Sequence, residues 1–171
     1  MDEWVRRTAI TRLSVDDEQR GLLEETITEY KRGCQIATDL AWERCNEKRE
    51  VQSLAYEPVR ENTTLGAQHA ILATYQAAEA ITGCIARRST GTNTSKPTFT
   101  GPTVTYDTRS MTLFDDETVS LATTDDRVRC PLVLPDDEDG YQRQYLDADD
   151  WQVTESTLTA RDGEFFLHLG F

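Results

Sequence analysis

Lysine is scarce in this chain. Of 18 Lys plus Arg only Lys31, Lys48 and Lys96 are lysines, and they stand against 31 Asp plus Glu for a net charge of −13. A generally basic coat for nucleic acid is thereby excluded, because phosphate binding ordinarily shows as an excess of Lys and Arg. An acidic, lysine-poor and threonine-rich chain is suited to concentrated salt, where repulsion is screened within about 3 Å at 1 M. The composition therefore implies a halophilic source, and the informative question becomes where the arginines cluster. Long apolar runs are missing too. No stretch approaches the ~18 residues of a membrane span, and Met1-Asp2-Glu3-Trp4 is acidic with no apolar core behind it. No signal peptide, no membrane partner and a cytoplasmic location are expected. Cys34, Cys45, Cys84 and Cys130 form no CxxC pair, which excludes a zinc ribbon and a redox motif and leaves them as small core hydrophobes. The two histidines, His69 and His168, have no ligand spacing between them. No G-x-S-x-G, P-loop or GxGxxG is present, so no catalytic residue, metal or cofactor is expected.

What is there has a clear order. Val5 to Val15 alternates, with Ala9, Thr11 and Leu13 on one face and Arg6, Ile10 and Arg12 on the other, which predicts a half-buried strand. Asp16 and Gln19 stand in capping-box positions. Leu23, Ile27, Tyr30, Cys34, Ala37, Ala41 and Cys45 then recur at helical steps, predicting one amphipathic helix over about 17–48. Val51 to Thr63 reads as a connection with a single turn of helix stopped before Pro58. With Thr64 as its N-cap, a second long helix is expected over 65–88, its stripe Ala67, Ile71, Thr74, Ala78, Ile81 and Ile85, and Gln68, Gln76 and Glu79 facing outward. Arg87 and Arg88 close that helix, where positive charge suits the dipole.

After Pro97 the period changes to two. Strands are expected at Thr103–Tyr106, Ser110–Phe114, Thr118–Ala122 and Val128–Leu134, with Asp pairs at the turns. An acidic loop at Asp136–Gly140 and a short helix around Tyr141–Leu146 come next. A hairpin follows, Gln152–Ala160 and Glu164–Leu169 about Asp162-Gly163. The apolar last strand suggests that something follows it in an ancestral protein.

Five features together resemble the N-terminal half of the TnpB family of transposon-encoded RNA-guided DNA endonucleases, in its haloarchaeal form. They are the single opening strand leading into long helices; Ala77-Ala78-Glu79-Ala80 with Ile85-Ala86-Arg87; Lys96-Pro97-Thr98-Phe99; Tyr106-Asp107-Thr108-Arg109-Ser110 with Val119-Ser120-Leu121-Ala122-Thr123-Thr124; and Ala160-Arg161-Asp162-Gly163-Glu164-Phe165-Phe166-Leu167-His168. The resemblance implies an α+β fold: an oligonucleotide-binding-like β-barrel, the wedge domain, from residues 1–15 and 97–171. A two-long-helix insertion after the first strand, the recognition part, would span 16–96. It also implies guide RNA and target DNA as partners. Cutting in the family falls to a following RNase H-like (RuvC-like) domain beside a zinc ribbon, and neither motif set is in this chain, so it is not expected to be an enzyme by itself.

By that resemblance the nucleic-acid-binding candidates are Arg87, Arg88 and Lys96 as one cluster, Arg109, Arg127 and Arg129, Arg6 and Arg12 on the first strand, and Gln76 on the second helix. Arginine suits phosphate through its bidentate fork. Trp42, Trp151 and Tyr75 could stack bases, although aromatics at helical spacing are more often core. Two functions from different classes follow. One is the nucleic-acid-binding portion of such a nuclease, a truncated copy or one that acts beside a separate nuclease chain. The other is a decayed transposon remnant or protein-interaction module with no nucleic-acid affinity.

Overall fold

The computed structural model describes residues 7–91, 94–134 and 153–171. Over these residues it is a mixed α+β fold of three helices and a seven-stranded antiparallel sheet. The acidic loop at Asp136–Gly140, the helix expected at Tyr141–Leu146, and Trp4, Arg6 and Trp151 lie outside the described residues. The chain divides into two compact units.

The first unit holds Met1–Gly21, Thr103–Ala122 and Asp126–Phe171. Its strands are β1 (Thr8–Leu13), β2 (Thr103–Tyr106), β3 (Met111–Leu113), β4 (Thr118–Leu121), β5 (Val128–Val133), β6 (Ser156–Arg161) and β7 (Glu164–Gly170). They pair in the order β2-β6-β7-β1-β5-β4-β3. Each strand alternates, so one sheet face collects Ala9, Leu13, Val104, Tyr106, Val119, Leu121, Cys130, Leu158, Phe165, Leu167 and Leu169, all buried. Burying a side chain such as Phe165 or Leu167 contributes about 1.5–3 kcal/mol. Thr11 shares that face and is satisfied there, its hydroxyl donating to the Leu167 carbonyl at 2.9 Å. The β6–β7 hairpin turns on Asp162 and Gly163, both at positive φ (53° and 80°), as a two-residue primed turn requires.

The sheet is open, where a barrel is expected from the resemblance. β2 and β3 stand at its two ends, although they are consecutive in the chain and joined by the Asp107–Ser110 turn. That turn is held by Asp107, whose Oδ1 accepts from the Ser110 N–H at 3.0 Å and the Arg109 N–H at 3.1 Å. The Tyr106 hydroxyl donates to the Ala122 carbonyl at 2.7 Å, drawing the end of β2 toward the end of β4 without a ladder between β2 and β3.

The second unit, Leu22–Pro102 with Thr123–Asp125, is helical. Helix α1 spans Asp17–Ala41, of which residues 22–41 belong to this unit; α2 spans Lys48–Asn62 and α3 Ala67–Ser89. The Asp16–Gln19 capping box forms in full: the Gln19 N–H donates to Asp16 Oδ1 at 2.8 Å and the Asp16 N–H to Gln19 Oε1 at 3.1 Å.

Among the described residues three helices replace the two expected. The first ends at Ala41 instead of running to 48, because the chain enters the left-handed region at Glu43 (φ 63°). The segment read as a connection is α2, capped by Glu47, whose carboxylate accepts from the Glu50 N–H at 3.2 Å. Pro58 lies inside it. Its buried residues, Val51, Ala55 and Val59, recur every four positions, a stripe too narrow to stand out. Thr64 does not cap α3; Gly66 does. The Thr64 N–H and hydroxyl are engaged by Glu29 Oε1 on α1, at 3.0 and 3.2 Å. The centre of the expected stripe of α3 is buried, Thr74, Ala78 and Ile81 with Ala70, Ala77 and Cys84, but its ends Ala67 and Ile85 are exposed, and His69, Leu72 and Ala73 widen the buried face instead. Close packing at the three-helix junction needs Gly33, where an added methyl group would sit 2.9 Å from Leu65 and 3.2 Å from Val59.

Candidate nucleic-acid interface

The residues singled out above fall into both units. In the first, register decides which of them share a face. Cross-strand partners point to the same side, so Ile10 with His168, and Arg12 with Phe166 and Val133, lie on the face opposite the core. Thr157 and Thr159 continue these rows through β6, and Thr105 and Thr103 through β2. On the other side of β1 the face runs through Pro131 and Arg129 on β5, Thr118 and Ser120 on β4, and Thr112 on β3. This is a surface of threonines, arginines and a few apolar groups, with Ile10 51% exposed. The seven described strands hold a single carboxylate, Glu164, against Arg12, Arg129 and Arg161, in a chain with 31 acidic residues.

The arginines of this face are held in place. Arg129 lies 3.8 Å from the centre of the Phe114 ring, a cation–π arrangement. It donates through Nε to Thr118 Oγ1 at 2.9 Å and through Nη2 to Asp116 Oδ2 at 3.0 Å. Hydrogen bonds from the Thr118 hydroxyl and N–H, with Arg129 beside it, hold the Asp116 carboxyl below the usual carboxylate range. Arg127 donates through Nε to Ser120 Oγ at 3.0 Å and through Nη1 to the Arg109 carbonyl at 3.4 Å. Arg127 and Arg129 thus stand near each other at the β4–β5 end of the face, and Arg109 meets them only through its backbone carbonyl, which accepts from Arg127. Arg12 sits two strands away from β4, paired with Glu164 at 3.3 Å with both side chains about half exposed.

In the second unit the expected cluster of Arg87, Arg88 and Lys96 is split. Consecutive helical residues point about 100° apart, and the two arginines leave α3 in different directions. Arg87 and Lys96 line an open groove of about 570 Å³ with Glu79, Ser95 and Thr98. There Lys96 pairs with Asp39 at 2.9 Å. Burial would raise the Asp39 carboxyl, but Lys96 and Gln35 together hold it low. Arg88 stacks instead on Trp42 at 4.8 Å and is pinned by Thr94, Nε to Oγ1 at 2.9 Å. It lines a second groove, of about 360 Å³, with Trp42, Ile81 and Ile85. Gln76 does not face freely outward. It is half-buried and accepts the hydroxyl of the buried Tyr30 at 2.6 Å. Tyr75 similarly spans to α2, donating to Gln52 Oε1 at 2.8 Å.

Phe166, His168 and Ile10 did not enter the sequence-derived site, where His168 reads as an ordinary strand residue. The signal for them is an alternating strand whose outer positions after Glu164 are Phe166 and His168, neither acidic, and it becomes visible only once register joins β1, β6 and β7. Among the described residues no group of three or more His, Cys, Asp and Glu is placed to hold a metal, and no helix is long and apolar enough to cross a membrane. Compared with protein-family models and with curated proteins, the chain matches none.

Proposed function

We propose that this chain is a non-catalytic nucleic-acid-binding module, the wedge and recognition portion of a TnpB-like RNA-guided endonuclease, which holds guide RNA and target-adjacent DNA while a separate domain or chain does the cutting. The observation that carries the reading is the outer sheet face, whose strands bear Arg12, Arg129 and Arg161 against Glu164, with Asp116 of the adjoining turn on Arg129, in a chain of net charge −13. Strand propensity by itself depletes Asp and, less strongly, Glu and Lys from strands, which accounts for part of the low acid content; the excess of arginine over carboxylate on this face is what a phosphate would meet. Guanidiniums already seated on a ring or a hydroxyl, as Arg129 and Arg127 are, lose little side-chain entropy when they meet a phosphate. In this reading the sheet is the counterpart of an oligonucleotide-binding-like barrel left unclosed between β2 and β3, whose strands are joined in the chain by the Asp107–Ser110 turn.

A protein-interaction module or decayed remnant is the second reading. It is favoured by the ion pairs that already engage Arg12, Lys96 and Arg129. The deciding experiment is binding to RNA transcribed from the gene's own 3′ end, in high KCl, against an unrelated RNA of the same length. Selective binding that weakens about tenfold or more in Arg127→Ala/Arg129→Ala supports the nucleic-acid module. Equal, weak binding to both RNAs, unchanged in the variant, supports the remnant.

A further inference from the structure

The outer sheet face carries more than charge. Phe166 stands in its middle, with Arg12 beside it on β1 and Thr159 beside it on β6. One row along, His168 lies between Ile10 and Thr157. Phe166 and His168 are two residues apart on β7, about 7 Å, and neighbouring strands add about 4.8 Å each. These two rows form a platform four strands wide, roughly 14 Å across from Thr159 to Val133. At its centre stand the half-buried ring of Phe166 and, one row along, the Ile10 side chain, 51% exposed. Around them are threonine hydroxyls, and arginine stands at the edge.

A duplex would leave most of this platform unused. Its outside is phosphate and sugar, and its major groove admits a helix or a two-stranded ribbon, not the broad face of a sheet. The π faces of duplex bases are covered by their neighbours. An unpaired strand presents those faces, and the pairing of stacking side chains with arginines along the backbone track is what single strands require. Charge complementarity favours the same ligand, because on and beside this hydroxyl-lined face Arg12, Arg127, Arg129 and Arg161 outnumber Glu164 and Asp116, in a chain of net charge −13.

We infer that the outer face of the sheet binds an unpaired stretch of nucleic acid, one base stacking on Phe166 and a neighbouring one against His168 and Ile10, with the backbone directed toward Arg12 and Arg129. This rests on the nucleic-acid reading above and narrows it to single strands.

The test is fluorescence anisotropy with two labelled probes, a short oligouridine and an RNA hairpin of equal length paired except for a minimal four-base loop, using the whole chain and three variants. Phe166→Leu keeps an apolar side chain and removes the π face; Phe166→Tyr restores it; Arg127→Ala/Arg129→Ala removes charge alone. The expected result is tighter binding of oligouridine than of the hairpin. That preference should fall about fivefold to a hundredfold in Phe166→Leu, the range of one stacked base, and return in Phe166→Tyr. Unchanged urea midpoints would show that the leucine variant is folded. Equal affinity for both probes, or a preference untouched by Phe166→Leu, overturns the single-strand inference while leaving the nucleic-acid reading in place. No binding of either probe overturns both.

Discussion

Glu29 shows how one side chain can organise a corner of a helical unit. Its Oε2 takes Arg32 at 2.8 Å, its Oε1 takes Thr64, and Arg32 in turn reaches the Asn62 carbonyl at 3.0 Å. Burial alone would raise the Glu29 carboxyl, but Arg32 and Thr64 outweigh it and hold the group below its ordinary 4.5. A carboxyl depressed in the folded state stabilises fully above its unfolded value, and the contribution is lost as pH falls through the folded one. Wild type should therefore lose more stability between pH 6 and pH 3 than Glu29→Gln, read as the difference in urea midpoints. Equal losses would remove Glu29 from the acid response. Two glycines offer a second residue-scale contrast. At Gly170 an added methyl meets the Glu155 carbonyl oxygen, which is backbone, and Thr154 Oγ1 at 2.8 Å; at Gly33 it meets the flexible end of Leu65 first. Gly170→Ala should cost about 3 kcal/mol and Gly33→Ala about 1 kcal/mol, within the range of overpacking. The reverse order in chemical denaturation would contradict this.

At the scale of elements, α2 is the one that local sequence hides. It is polar over most of its surface, it buries only Val51, Ala55 and Val59, and it contains Pro58. A proline in a helix interior removes an N–H and crowds the carbonyl four residues back, at a cost of about 3 kcal/mol. Here packing of the four-residue stripe and the Glu47 cap overcome that cost. Pro58→Ala should accordingly raise the melting temperature, by an amount corresponding to about 1–3 kcal/mol. A lower melting temperature would mean that the proline ring packs in a way the helix needs. The hairpin of β6 and β7 is the opposite case, an element whose turn chemistry, Asp162-Gly163, announces it. The end of α3 lies between these. Its Arg87-Arg88 pair is legible as a terminus, but the divergence of the two side chains toward separate grooves depends on what α1 and the following loop place beside each.

For the whole molecule the dominant quantity is charge. At −13 the folded chain repels itself, and the screening distance falls from about 10 Å at 0.1 M salt to about 3 Å at 1 M. Raising KCl over that range should raise the melting temperature, and sodium chloride at equal ionic strength should do nearly the same, since screening is not ion-specific. A flat or falling profile would argue that the acidic surface is already compensated. The same screening works against phosphate binding, so stability and affinity should move in opposite directions along one salt series.

Composition, alternation and spacing determined much of this protein directly. The α+β class, the strand at Thr103–Tyr106, the primed hairpin, the capping box at the start of α1 and the alternation of β1 are local properties, set by side-chain period and by turn and cap chemistry. The helical state of α2, the break of the first helix at Trp42–Asn46 and the burial of His69, Leu72 and Ala73 on α3 were not legible. There the deciding energy comes from what packs across the helices, such as Leu65 and Val59 against Gly33, and not from the segment itself. The site divides in the same way. That Arg127 and Arg129 share a strand face follows from the alternation of β5. That Arg12, Phe166, Val133 and Thr159 form one row does not, because they come from four strands spread over about the whole chain, and only the hydrogen-bonded register of the folded sheet sets which of them are neighbours. Long-range pairing is decided by burying one face of every strand at once, a condition that no single stretch of sequence contains.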